Sequence, residues 1–359
     1  MEDNVNIDEI AQVEKEAQSD QGVPLGYEEF RLSTLGKKGA PEVFHAKNFD
    51  YGEMFALGSI TEKNMAIKLP EMFSKVIHEK NVDVKDFLDA EFTEFMARFL
   101  ATYYQSKIEI PYTVTKEDKK WVVDHQYDGN DKDPRYKDWL LSIQSGETKP
   151  TIEVDLTQLD FYDVNEAPNR VAYHKTYPSG KTFDVEFRLP KFGDSAILAK
   201  AVEEKFAEQD RKFATTYENY KYNQELKARR MRNELVDMST QYYIPENELN
   251  AVKQYELEKT AYTIALTKGL YLASIDGVDV SDKKFSERVE LAKDPRLDYN
   301  AMQMLTDEMK NIHIGIVPKV TCRHPIKGVV ETIDHNFRSL ELLTYLQQYR
   351  SDNASVNTI

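Results

Sequence analysis

The apolar positions change period several times along the chain, and each change marks an element. Across residues 299–312, Met302, Leu305, Met309 and Ile312 fall three or four apart, one stripe of a helix. His313-Ile314-Gly315 follows, and glycine ends a helix because it turns left-handed without a Cβ clash. Residues 317–322 and 329–333 are short β-rich runs around Pro325-Ile326-Lys327-Gly328, a hairpin signal. Asp334 or Asn336 is placed to cap a last helix carrying Leu340, Leu343 and Leu346. The stretch 294–343 thus reads as helix, β-ribbon, helix.

A looser copy of that order comes earlier. Asp89 precedes a helix with Phe92, Phe95, Met96 and Phe99; a β-rich run, 110–115, follows, and the chain returns at 151–156 after a polar insertion. IPYTVT and VPKVTC stand in corresponding places, a candidate internal duplication, although two copies are too few for a repeat array.

Elsewhere the pattern is read in order. Val5, Ile7, Ile10 and Val13 keep a faint helical spacing in an acidic stretch with too little apolar face to fold alone. Residues 22–40 read as an irregular connector, and 43–46 as a short strand. Met54, Phe55 and Leu57 lie on one helix; Pro70 is expected to open another bearing Met72, Phe73, Val76 and Ile77. Residues 128–134 are a loop by composition, flanked by Trp121 and Trp139, and form either a contact point or the turn of a small subelement pinned by the indoles. Pro178-Ser179-Gly180 joins two alternating runs into a hairpin, in which Phe183, Val185 and Phe187 share the inner face. Asp194 is a plausible cap for a long helix reaching towards Asp237. Its stripe of Ile197, Val202, Phe206, Phe213, Tyr217 and Tyr220 suits a partner, and a second long helix, 246–272, follows Pro245. Two such helices bury a seam against each other or against another chain.

The fold class expected is α+β, mainly helical units with small inserted antiparallel ribbons. The segments are an acidic tail at 1–25, a helical unit at 26–105, and a β-ribbon region at 106–193 with its insertion at 116–150. A long helical hairpin at 194–275, the C-terminal module at 276–350 and a tail at 351–359 complete the division.

Charge and cysteine use narrow the function classes. The chain of 359 residues has a formal charge of −15, from 62 acidic against 47 basic residues, which argues against a general nucleic-acid binder. The local run from Lys227 through Arg229 and Arg230 to Arg232 reads as a solvated or salt-bridged helix face. Cys322 is the single cysteine, so an intrachain disulfide is impossible and a cysteine-rich zinc site is excluded. No apolar run approaches the length of a membrane span, and the first residues are acidic rather than signal-like. The 21 tyrosines and 17 phenylalanines supply aromatic area suited to cores or protein interfaces.

Candidate chemistry is sparse. Gly180-Lys181-Thr182 imitates a phosphate loop, but Lys175 stands where the first glycine belongs, and the tripeptide lies at a hairpin turn. Asp128, Asn130 and Asp133 imitate the start of a calcium loop, yet Trp139 replaces its bidentate acid. Cys322 and His324 would share a strand face and could meet a metal with His335, without an evident fourth ligand. Neither catalytic nor cofactor-binding residues are nominated, no cofactor is expected, and the chain reads as a non-enzyme.

The order of elements resembles the baseplate proteins of contractile-tailed bacteriophages, of the T-even type. The matching pieces are FDYGEMFALGS at 49–59, AEFTEFMARFLATYYQSKIEIPYTV at 90–114 and TFDVEFRLPKFGD at 182–194. The fullest is MLTDEMKNIHIGIVPKVTCRHPIKGVVETIDHNFRSLELL at 304–343. In that family the final ribbon resembles a degenerate zinc ribbon with paired cysteines. This chain keeps Cys322, with His324 where a second ligand would stand, so a metal is not carried over. The resemblance implies a structural subunit of hub or inner wedge, built in the infected cell's cytoplasm and retained in the virion. Its partners would be other baseplate and tail proteins, in several copies of a symmetric assembly, with neither nucleic acid nor membrane. The alternatives are a transient assembly chaperone missing from finished virions and, more remotely, a tail-associated hydrolase.

Overall fold

A computed structural model describes residues 23–61, 64–164, 168–232, 234 and 236–354. The faint helical pattern at Val5 to Val13 lies outside the described residues, as does the end of the expected C-terminal tail. Helices and small antiparallel sheets mix throughout, an α+β fold.

The N-terminal elements are β1 (Tyr27–Phe30), β2 (Phe44–Lys47), α1 (Tyr51–Leu57), α2 (Met65–Val76) and α3 (Asp89–Tyr103). β1 pairs with β2 inside the stretch expected to be irregular; its four residues are too short and too polar to show alternation. Helix α1 is closed by a capping box in which Asp50 and Glu53 exchange backbone bonds. Helix α2 starts at Met65, so Pro70 sits inside it rather than opening it. Helix α3 is the centre of the core. Phe92, Phe95, Met96, Phe99 and Leu100 are buried along it, and Phe95 meets Phe30, Phe44 and Phe73 edge-on at 5.2, 5.1 and 5.5 Å.

The polar side of α3 is buried as well. Glu91 accepts from Leu88, Gly39 and Ala40 amides at 2.8, 3.0 and 2.9 Å and from the Thr34 hydroxyl at 2.5 Å. Glu94 accepts from the Ser33 amide at 2.8 Å and from Arg98 at 2.9 Å. Two buried carboxylates therefore hold the 33–40 loop, which has no regular ladder of its own, against the helix.

Next come β3 (Lys107–Pro111), α4 (Lys116–Gln126), α5 (Pro134–Ser145) and β4 (Thr151–Asp155). β3 and β4 pair antiparallel with Ile108 opposite Val154 and Ile110 opposite Ile152, so the 116–150 insertion leaves and re-enters through one ladder. Its helices share a small core of Val122, Val123 and Tyr136, with Trp121 and Trp139 packed against it. The polar 128–134 stretch is their turn.

The chain continues through β5 (Arg170–Thr176), β6 (Thr182–Arg188), α6 (Asp194–Met231), α7 (Glu246–Tyr271), β7 (Leu272–Ile275) and β8 (Val278–Asp279). β5, β6, β7 and β8 form one antiparallel sheet in that order. The second long helix therefore gives way at Leu272 to a strand, and Asp276-Gly277, both at positive φ, turn it into β8.

The remaining elements are α8 (Phe285–Leu291), α9 (Tyr299–Asn311), β9 (Lys319–Arg323), β10 (Val330–Asp334) and α10 (Ser339–Ala354). Helix α9 lays Ala301 and Leu305 on the sheet core of Val171, Phe183, Val185 and Phe187. Helix α10 packs back onto the first core through Leu342, Leu343 and Leu346, whereas Leu340 faces outward. Its start at Ser339 leaves Asp334 and Asn336 outside the capping position. The Tyr345 hydroxyl donates to the Glu109 carbonyl at 2.7 Å, and Gln347 donates to Leu57 and Ile60 carbonyls at 2.9 and 3.0 Å. One apolar core thus joins the first helices, the β3–β4 ladder, β9 and the last helix.

Candidate functional site

The residues weighed for metal or phosphate chemistry are engaged locally. Gly180 is at φ +77 in the β5–β6 turn, not between a strand and a helix. Asn130 accepts the Lys132 amide at 3.1 Å, and Asp133 accepts the Arg135 amide at 2.8 Å while pairing with its guanidinium. The trio of acids and amide is a turn and a helix cap. Cys322 is buried in the large core, where burial pushes its thiol up. His335 pairs with Glu341 at 3.1 Å and follows the strand end that faces Lys319. Glu331 is the residue opposite Cys322 and lies four residues before His335, so about 13 Å separate the two along β10. The three residues are not brought together, and no group of three or more metal-ligating side chains converges among the described residues.

His324 occupies a buried polar cluster that joins the C-terminal ribbon to the insertion. Its Nδ1 accepts amides of Ile326 and Lys327 at 3.1 and 3.2 Å, which places the ring proton on Nε2. Nε2 lies 3.0 Å from the Tyr112 hydroxyl, which donates to Asp118 Oδ2 at 2.6 Å. Asp118 Oδ1 is 3.0 Å from the same Nε2 and 3.6 Å from Lys327 Nζ, close approaches without an aligned hydrogen bond. Thr115 completes the set by giving its amide to Asp118 at 2.9 Å, the box that starts α4. Burial pushes the Asp118 carboxyl up, and the bonds from Tyr112 and Thr115 outweigh it, leaving it below the ordinary carboxylate range. Both His324 and Asp118 are 1 % exposed. Such a cluster can fix two elements in register.

The pair α6 and α7 contains the two longest helices among the described residues. At 1.5 Å per residue, the 38 residues of α6 extend about 57 Å. The expected apolar stripe closes a seam within the chain: Phe206 meets Tyr255 and Tyr262, and Phe213 and Tyr217 meet Tyr255. A polar knot crosses it, with Lys259 donating to Asp210 at 2.5 Å and to the Tyr255 hydroxyl at 2.7 Å. Burial alone would lower Lys259, but those bonds hold it above its ordinary value. On the outside of α7, Leu257, Ala261 and Ile264 are all exposed, at i, i+4 and i+7 on one helical line. Leu257 is 66 % and Ile264 49 % exposed. At the far end, Tyr243 is 90 % and Met231 83 % exposed. The basic run ends α6 there, and Arg229 and Arg232 both pair with Glu234 at 2.8 Å.

The sequence reading placed the long helices and missed the polar clusters. Thr115-x-x-Asp118 is itself a capping-box signal and would have flagged Asp118. Its second role towards His324 has no local signature. Among the described residues, no helix is long and apolar enough to cross a membrane. No family model, curated protein or solved structure matches the chain.

Proposed function

We propose that this chain is a structural subunit of a contractile bacteriophage tail baseplate, joining other tail proteins through protein–protein contacts. The observation that carries the reading is the outward line Leu257, Ala261 and Ile264 on α7. The inner face of the pair is already satisfied by Phe206, Tyr255 and Tyr262, so this line is surplus to the chain's own core. An apolar helical line beside charged neighbours is the form in which one helix grips another chain, with the apolar centre giving affinity and the charged rim selecting the partner. The buried polar clusters support a rigid connector: they bind loop to helix and insertion to ribbon. The resemblance in the order of elements points the same way.

Mass spectrometry of assembling and finished contractile tails tests the reading. A permanent subunit is present in both at a fixed ratio to the other baseplate proteins. Presence during assembly with loss from finished tails would replace it with the assembly-chaperone alternative.

A further inference from the structure

A second feature, independent of the baseplate reading, lies where β6 ends and α6 begins. A concavity of about 510 Å³ is lined there by Lys85, Arg188, Lys191, Lys200 and Arg288, with Asp86 and Asp194 as its acids. Both acids are taken. Asp194 holds Arg188 through two bonds of 2.8 and 2.6 Å, and Asp86 pairs with Lys191 at 2.9 Å. Lys85, Lys200 and Arg288 have no carboxylate partner among the described residues.

Arg288 carries the argument. Its Nη1 donates to the Leu270 carbonyl at 3.2 Å, while its Nε is buried with no acceptor among the described residues. Arg188 lines the same concavity, and burial first, then that guanidinium, weaken the hold of Arg288 on its proton, with the Asp194 carboxylate opposing them. A buried donor without an acceptor and like charges side by side are each costly. An anion seated in the concavity would add to the Asp194 carboxylate in offsetting the two guanidinium charges. The positive end of the long α6 also faces this place. The Gly193 and Asp194 amides are engaged by Lys85 and Lys191 carbonyls, so side chains rather than a ring of free amides would hold the ligand.

We infer that this concavity binds a small phosphate-bearing anion, with Lys85, Lys200 and Arg288 as its principal contacts. Its volume of about 510 Å³ has room for a compact solute, and it opens to solvent. The charge is local, because the chain as a whole carries −15.

Isothermal titration of the full chain with inorganic pyrophosphate, at constant ionic strength against sodium chloride, tests it. Saturable binding of one pyrophosphate per chain is expected. Arg288→Gln and the double variant Lys85→Gln/Lys200→Gln should each bind at least about tenfold more weakly, because a charge-assisted contact is lost. The two lysines are exposed and make no ion pair among the described residues, so that double variant should keep the parent circular dichroism and melting midpoint. Heats that do not saturate, or a folded double variant that binds as tightly as the parent, would overturn the inference.

Discussion

Asp118 and His324 meet at 3.0 Å inside the molecule, so the start of α4 and the end of β9 share one buried polar cluster. Removing the carboxylate by Asp118→Ala leaves the Tyr112 hydroxyl and the Thr115 amide and hydroxyl without their acceptor. The expected loss is about 3 kcal/mol, because each buried donor left unmade costs about 1–3 kcal/mol. Urea denaturation of the variant checks it, and limited proteolysis should show the 116–150 insertion cut first.

The same residue gives a pH signature. Asp118 titrates below the ordinary carboxylate range in the folded chain and near about 4 when unfolded. Its charge therefore contributes stability above the unfolded value, and that contribution is lost as the pH falls through the folded value. Asp118→Asn has no such charge to lose. The stability gap between parent and Asn variant should be full near pH 6 and should narrow on acidification towards pH 3. Denaturation midpoints across that range read it directly; a gap widening in acid would refute the assignment.

Gly269 allows α7 and α8 to touch. A Cβ built there would come within 2.6 Å of the Val289 Cα and 2.7 Å of its amide nitrogen. Alanine gains about 1 kcal/mol of helix propensity over glycine, but overpacking costs about 1–3 kcal/mol and the obstacle here is backbone. Gly269→Ala should therefore destabilise, by thermal melting. Adding Val289→Ala removes the Cγ2 contact, also at 2.6 Å, but should not fully restore the parent, since the backbone Cα and N remain.

Glu91 should matter more than a surface acid. Four donors converge on its carboxylate, three of them backbone amides. Glu91→Ala leaves them without their acceptor, and a loss of about 3 kcal/mol or more is expected, because each buried donor left unmade costs about 1–3 kcal/mol. Hydrogen exchange should show Gly39 and Ala40 amides losing protection ahead of the α3 backbone.

Much of the framework is legible from local pattern. The Met302, Leu305 and Met309 stripe faces the β5–β8 sheet, and the Pro178-Ser179-Gly180 turn joins two real strands. The pairings of distant elements are not legible. The Leu343 and Leu346 spacing says that a last helix has a buried face, but nothing in it names α3 as the surface covered. Asp276-Gly277 is a strong hairpin signal, yet Val278–Asp279 is too short to alternate, so β7 is hidden in what reads as the end of a helix. Of the candidate site, the sequence shows two long striped helices. Phe206 and Tyr220 in that stripe are buried, while Leu257 and Ile264 on the other helix remain outside. Periodicity marks a face as apolar without saying which of two apolar faces the chain itself will cover.

The outward line on α7 should be separable from folding. Leu257→Ser with Ile264→Ser removes exposed apolar area and should change the melting midpoint of the isolated chain little, since surface changes usually fall within about 0.5 kcal/mol. Incorporation into tails should fall sharply in the same variant, read by its ratio to the other tail proteins.

Cross-linking mass spectrometry of finished contractile tails probes the central claim most directly. If the paired helices are the gripping surface, Lys253 of α7 and Lys205 and Lys212 of α6, all exposed, will link to other tail proteins. Lysines on these helices that link only within their own chain, while lysines elsewhere link outward, would contradict it.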